Sequence, residues 1–308
     1  MKKLVFSLVI SLFLALLLTH AVDAQTTSKG VSVTPSIAHI DLAVDPPEYE
    51  LTYVNNFDTD ITITLSAKDF TELEDSYKLE FLDAPKAQNY KYSLSSWISF
   101  ETKTLELAPH EKKSVKIYID KNRITKGGHY ASILAEIAQP ASSQNIGIKA
   151  VLSSLLFVRA STGKEVEDGK IFSFEPLRDN YDYPDSFLLR FQNSGNVHVI
   201  PYGTVIVYDP FGNLVAKGIV NENSLDALPE SIRSYTITST TYQKVLIPGT
   251  YTAKLSIHFG KTNQKLSQSI KFFSMGGMDF IKTLGLIVLL AALVVLYRKK
   301  FKRYPAKS

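Results

Sequence analysis

Tyr251-Thr252-Ala253-Lys254-Leu255-Ser256-Ile257-His258-Phe259 decides the fold class. Every odd position is apolar and every even position is polar. That period of two puts one face of an extended strand on a core and the other in water, the pattern of an antiparallel sheet. The same alternation returns in Ile61-Thr62-Ile63-Thr64-Leu65-Ser66-Ala67 and in Val115-Lys116-Ile117-Tyr118-Ile119-Asp120. Between residues 25 and 275 no window has apolar residues at helical spacing, so this segment reads as all-β.

Turn chemistry separates the strands. Asp209-Pro210-Phe211-Gly212-Asn213 lies between two apolar runs, and its proline and glycine suit a hairpin. Pro248-Gly249 precedes the 251–259 strand, and Gly127-Gly128 precedes His129-Tyr130-Ala131-Ser132-Ile133-Leu134-Ala135. Short strands at this spacing favour β-sandwiches over βαβ units. The polar stretch from Ser161 to Lys170 carries two glycines and reads as a boundary. Two tandem Ig-like β-sandwich domains are expected, over 25–162 and 163–275.

The two ends of the chain read as addresses. Met1-Lys2-Lys3, an apolar stretch from Leu4 to Leu18, and small residues at Val22 and Ala24 form a secretory signal peptide over 1–24. Near the other end an uncharged run extends from Thr283 to Tyr297. Arg298, Lys299, Lys300, Lys302 and Arg303 follow it at once. With Phe280, Ile281 and a snorkelling Lys282, the expectation is one C-terminal transmembrane α-helix over 279–297 and a basic cytoplasmic tail over 298–308. The expected localisation is the plasma membrane, single-pass, with residues 25–275 outside the cell.

Charge follows this division. The formal net charge is +4, and its excess lies beyond residue 276, so residues 25–275 are mildly acidic. No basic face is left to support nucleic-acid binding. The absence of cysteine excludes disulfide scaffolds, thiol catalysis and cysteine-ligated metal centres.

An ordered series of motifs carries a family resemblance. It opens with Val33-Thr34-Pro35-Ser36-Ile37 and a turn at Pro46-Pro47-Glu48. Trp97-Ile98-Ser99-Phe100, Leu105-Glu106-Leu107-Ala108-Pro109 and Gly127-Gly128-His129-Tyr130 follow. Leu189-Arg190-Phe191-Gln192-Asn193-Ser194-Gly195-Asn196 and Leu246-Ile247-Pro248-Gly249 come later. This order resembles the WxL-interacting surface proteins of Gram-positive-type bacteria and, more loosely, Ig-like pilus-chaperone-type domains. The resemblance implies a membrane-anchored surface protein whose first domain binds peptidoglycan and whose second binds a host or partner protein. Asp45-Pro46-Pro47-Glu48 departs from the Pro-Gly turn usual in that family, and Ala227-Leu228-Pro229-Glu230-Ser231 only approximates its Ala-Pro-Asn-Ser stretch.

Catalytic chemistry is not evident. Ser161-Thr162-Gly163-Lys164 matches the Ser-x-x-Lys pattern of penicillin-binding enzymes, but it falls in a polar turn and lacks the partner Lys-Thr-Gly. His39, His110, His129, His198 and His258 have no metal-ligand spacing on any one element, so each reads as a solvated strand or turn residue. Asp179, Asp182 and Asp185 lack the alternate-residue spacing of a calcium loop. No catalytic residue, metal ligand or cofactor is expected. Binding is assigned to Tyr90, Lys91, Tyr92 and Trp97, where rings can stack on sugars and lysine can meet carboxylates or phosphates. The expected partners are peptidoglycan or another wall polymer, or another surface protein. An assembly factor acting by β-strand addition is the alternative, and it requires an open apolar sheet edge.

Overall fold

The computed structural model describes residues 30–73, 78–138, 150–242, 247–275 and 278–301. The signal peptide over 1–24 and residues 302–308 of the basic tail lie outside the described residues. The chain is predominantly β, 56% strand against 9% helix, which settles the class as all-β.

Ten strands fall among the described residues between 31 and 159. They are β1 (Val31–Thr34), β2 (Ile37–Asp41), β3 (Glu48–Asn55), β4 (Ile61–Glu72), β5 (Leu79–Phe81), β6 (Ile98–Phe100), β7 (Thr104–Leu107), β8 (Lys112–Ile119), β9 (Gly128–Ala138) and β10 (Ala150–Arg159). One sheet has the order β1-β3-β8-β6, and the second β2-β10-β9-β4-β5, with β7 also paired to β4. The alternation of β3, β4 and β8 turns Leu51, Tyr53, Ile61, Ile63, Leu65, Val115 and Ile117 into one shared core between these sheets.

Pairing changes at the Thr34-Pro35 step. Before it, β1 runs antiparallel to β3. After it, β2 runs parallel to β10, from Ile37 opposite Leu155 to Asp41 opposite Arg159. The chain thus crosses from one sheet to the other within a few residues.

Seven strands follow: β11 (Gly169–Leu177), β12 (Ser186–Asn193), β13 (Tyr202–Tyr208), β14 (Leu214–Val220), β15 (Ser231–Thr241), β16 (Gly249–Phe259) and β17 (Gln264–Ser274). Their order is β11-β12-β15-β14-β13-β16-β17. β15 pairs with β12 through Thr238 and with β14 from Ser239 onward. A strand that switches partners in this way turns the corner between two packed layers. The five odd positions of β16 from Tyr251 to Phe259 are buried and join Phe187, Phe191, Val205, Ile237 and Phe272 in one core. β13 and β14 form a hairpin. Its turn is held by the Asp209 carboxylate, which accepts from the backbone N–H groups of Phe211 and Asn213 at 2.9 and 2.8 Å.

The last element is a helix, Met278–Phe301. Its described apolar side chains between Leu284 and Tyr297 are exposed. Here the structure corrects the expected localisation. Among the described residues no helix is long and apolar enough to cross a membrane. The uncharged run between Lys282 and Arg298 rises only about 22 Å at about 1.5 Å per residue, short of a hydrocarbon core of about 30 Å. The expectation of a single-pass plasma-membrane protein with a spanning helix over 279–297 is withdrawn. Arg298, Lys299 and Lys300, assigned to a cytoplasmic tail, are part of this helix.

Candidate functional site

Three features could recognise another molecule: a cleft beside Trp97, a free stretch of strand edge on β10, and the seam where residues of the two halves meet.

The cleft begins with a buried carboxylate. β4 keeps its alternation as far as Leu65, then buries both Asp69 and Phe70. Asp69 accepts from the backbone N–H groups of Leu94 and Ser95, at 2.8 and 2.7 Å, and from the Ser93 hydroxyl at 2.7 Å. Those bonds fix the short turn Ser95–Trp97 against the sheet. Trp97 and Tyr90 then line a cleft of about 710 Å³ with Ser66, Lys68, Gln88 and Ser96. His129 packs behind Trp97, with ring centroids 4.6 Å apart.

The four residues assigned to binding are only partly brought together. Tyr90 and Trp97 share the cleft. Tyr92 is buried and packs with Phe70, Tyr130, Phe157 and Leu228. Lys91 turns to the seam, where its Nζ lies 2.5 Å from Glu230 Oε1 and 5.0 Å from the Tyr92 ring centroid. The Glu230 hydrogen bond raises the Lys91 ammonium above its usual range, and Lys91 in turn lowers the Glu230 carboxyl. Burial raises the phenols of Tyr90 and Tyr92.

The free edge is a consequence of register. β9 pairs with β10 along its whole length, from Ala150 to Arg159. On the other side β2 begins only at Leu155. Among the described residues no strand is hydrogen-bonded to that side of Ala150–Ser153, although β1 passes close to β10. Leu152 packs on the core of the first half, while Val151 is 53% exposed. Other long edges are blunted. β17 carries Lys265 and Lys271 outward, and β11 carries Lys170 and Pro176, devices that discourage edge pairing.

The seam joins distant parts of the chain. Arg233 Nη1 donates to Glu72 Oε1 at 2.6 Å, with both side chains almost fully buried. Ser231 also donates to Glu72, and Arg233 donates to the Asp226 carbonyl. Burial pushes the Glu72 carboxyl up against the pull of Arg233 and Ser231. The Tyr130 hydroxyl accepts from the backbone N–H of His198 at 2.8 Å. His39 Nε2 lies 3.0 Å from both oxygens of Asp226. Its ring stacks on Phe157 at 5.0 Å and stands 5.5 Å from that of His198. Burial lowers the His198 imidazole to about 4. A second cleft, about 540 Å³, opens here and is lined by His39, Asp41, Arg159, Glu167, His198, Tyr202 and Lys261.

Sequence reading missed most of this. It took all five histidines as solvated, yet His129 is fully buried and His198 Nδ1 is buried without a hydrogen-bond partner. No local spacing could have shown that His39 meets Asp226, which lies 187 positions away. Ser161, the possible nucleophile, sits in a turn with positive φ and donates to Asp41. No helix places Lys164 behind it.

No family model matches this chain, and no curated protein matches it. Among solved structures it is similar to a chaperone–tip adhesin complex of CFA/I fimbriae, at 11% identity over 80% of this chain and 98% of that one, with a TM-score of 0.41. The class 5 fimbriae chaperone CfaA gives 10% identity over 80% and 99%, with a TM-score of 0.40. The E. coli chaperone DraB gives 13% over 79% and 96%, with a TM-score of 0.37. Such TM-scores and identities carry no function from those proteins to this one.

Proposed function

We propose that this protein is a non-catalytic assembly factor that holds an extended segment of another exported protein along the free edge of β10. In this reading residues 25–162 and 163–275 are two Ig-like β-sandwich domains, and the first presents the edge. The observation that carries it is that, among the described residues, Ala150–Ser153 has no hydrogen-bonded strand on one side, with Val151 exposed, whereas the long outer strands β11 and β17 carry lysine or proline. An added strand would gain main-chain hydrogen bonds there, and alternate side chains would set its specificity. The neighbouring strand β9 is long and buried on its core face, so the edge is held rigidly before a partner arrives.

The test is hydrogen exchange on the full chain, with and without a synthetic ten-residue peptide of alternating valine and threonine. Slower exchange confined to Ala150–Ser153 and neighbouring edge amides is the expected result. Unchanged exchange there at saturating peptide, or protection elsewhere only, overturns the reading.

A second reading, non-catalytic binding of wall polymer, is favoured by the cleft that Tyr90 and Trp97 line. Trp97 is the only tryptophan, so its fluorescence reports this site alone. A saturable change on adding soluble peptidoglycan fragments supports polymer binding, and a flat titration removes it.

A further inference from the structure

Three metal-ligating side chains from separate parts of the chain converge in the seam. His39 lies on β2, His198 in the segment between β12 and β13, and Asp226 in the segment between β14 and β15. One ligand atom from each lies within 4.8 Å of the other two. Two further facts single this cluster out. His39 Nε2 faces both Asp226 oxygens at 3.0 Å. His198 Nδ1 is buried with no hydrogen-bond partner, a state that is costly unless something else uses its lone pair or proton.

We propose that His39, His198 and Asp226 form a binding site for a divalent transition-metal ion, Zn²⁺ above all, that clamps the two halves of the molecule together. The donor set selects the class of ion. Two imidazoles and one carboxylate suit zinc and its first-row neighbours, whereas calcium and magnesium prefer all-oxygen sites. Tetrahedral zinc with bonds of about 2.0–2.1 Å holds its ligand atoms roughly 3.4 Å apart. The His39–Asp226 pair needs to open by a few tenths of an ångström, and His198 needs to close in by a side-chain adjustment. The ion takes the place of the hydrogen bond that now joins His39 to Asp226.

The surroundings favour this ion. Phe157 stacks on His39, Tyr130 anchors the His198 backbone, and Arg233 holds the Asp226 carbonyl. Each ligand residue is thus anchored, His39 through its ring and His198 and Asp226 through their backbones. The nearby cations Arg159, Lys261 and Arg233 are paired with Glu167, Asp41 and Glu72, so a dication meets little unbalanced positive charge. The His39 side chain is 42% exposed and lines the second cleft with His198. That cleft gives an entry path and leaves a fourth coordination position for water.

The experiment uses the full chain, stripped with a chelator and titrated with Zn²⁺ by calorimetry and by thermal unfolding. We expect one ion per chain and a rise in Tm. The variant His39→Gln, at a half-exposed position where folding is retained, should bind at least about 10-fold more weakly. Co²⁺ should give the intense visible bands of a tetrahedral nitrogen–oxygen site in the wild type, and His39→Gln should lose them. Absence of binding and of any Tm shift overturns the proposal. So does equal binding by wild type and His39→Gln. None of these readouts depends on strand addition at β10, so the two readings stand or fall separately.

Discussion

From Phe174 to Phe272 the C-terminal half gathers its buried side chains into one cluster, whereas the N-terminal half divides its own among three. The strands alternate in the same way in both. What differs is how they end. In the C-terminal half the seven strands form one continuous order whose outer members are long and carry lysine or proline. In the N-terminal half several strands are three or four residues long, and the intervening turns must be packed by side chains of their own. Leu94, Ile119, Leu156 and Val158 make one such satellite cluster. Phe70, Tyr92, Tyr130 and Phe157 make another and accept Leu228 from the other half. A divided core leaves openings between its parts, and the Trp97 cleft and the free edge of β10 both belong to the divided half. In the proposed reading the undivided half serves as a scaffold and the divided half offers the recognition surfaces.

The largest effect should come from breaking the single core. Phe191 is fully buried and meets Phe259 edge-on at 5.1 Å. Phe191→Ala should cost about 3–5 kcal/mol in denaturant unfolding, because a continuous core cannot collapse around the void. Leu94→Ala, equally buried but beside the Trp97 cleft, should cost only about 2–3 kcal/mol, at the low end for such truncations. Equal losses would erase the contrast between the two halves.

The seam comes next. Arg233→Leu leaves the Glu72 carboxyl buried beside an apolar side chain, and breaking such a pair costs about 3 kcal/mol or more. The neighbouring Ser231 hydroxyl keeps the loss toward that lower figure. The halves should then unfold in two separable transitions instead of one, as seen by calorimetry. A single, unshifted transition would show that the pair does not couple them.

A smaller effect is expected from pH in the divided half. His129 is fully buried behind Trp97. Its Nδ1 lies 3.1 Å from the Ser93 carbonyl, and the Thr125 hydroxyl lies 3.3 Å from Nε2. Nε2 also lies 3.1 Å from the Thr125 carbonyl, so a neutral ring can donate to only one of the two carbonyls and a charged ring to both. Burial outweighs those two carbonyls and holds the imidazole below its ordinary value of 6.5. The unfolded chain takes up this proton first as pH falls, so stability should decline as pH drops through about 6.5, and the decline should ease once the folded form also protonates. In His129→Gln the slope between pH 7 and 5 should flatten, whatever the variant does to stability at pH 7. An unchanged slope would place the pH sensitivity elsewhere.

How much of this was legible follows from where the information lies. The buried face of β16 and the Asp209–Asn213 turn are local, and the alternation at 251–259 and a Pro-Phe-Gly sequence state them outright. The seam is not local. Glu72 and Arg233 are 161 positions apart, and nothing near either residue signals a buried partner. Tyr92 looked like Tyr90 in sequence, and only the bend of the chain around Asp69 sends one ring inward and the other to the cleft. The terminal helix shows the opposite failure. A run of apolar residues is easy to see, but spanning is a matter of length, and Lys282 and Arg298 stand too close together.

The smallest expected effect on stability falls at the position that matters most for the proposed function. Val151 lies on the open stretch of β10 and is more than half exposed, so Val151→Lys should change unfolding free energy by no more than about 0.5 kcal/mol. A lysine on an edge strand nevertheless discourages a second strand from pairing. The variant should therefore fold like the wild type while losing the protection that a bound alternating peptide gives to residues 150–153. The corresponding change on the scaffold, Lys271→Val on β17, removes one of that edge's charges. It should raise peptide protection there if lysine is what keeps that edge closed. Should Val151→Lys retain full protection while Lys271→Val gains none, edge chemistry would not distinguish the two halves, and their difference would reduce to the packing of their cores.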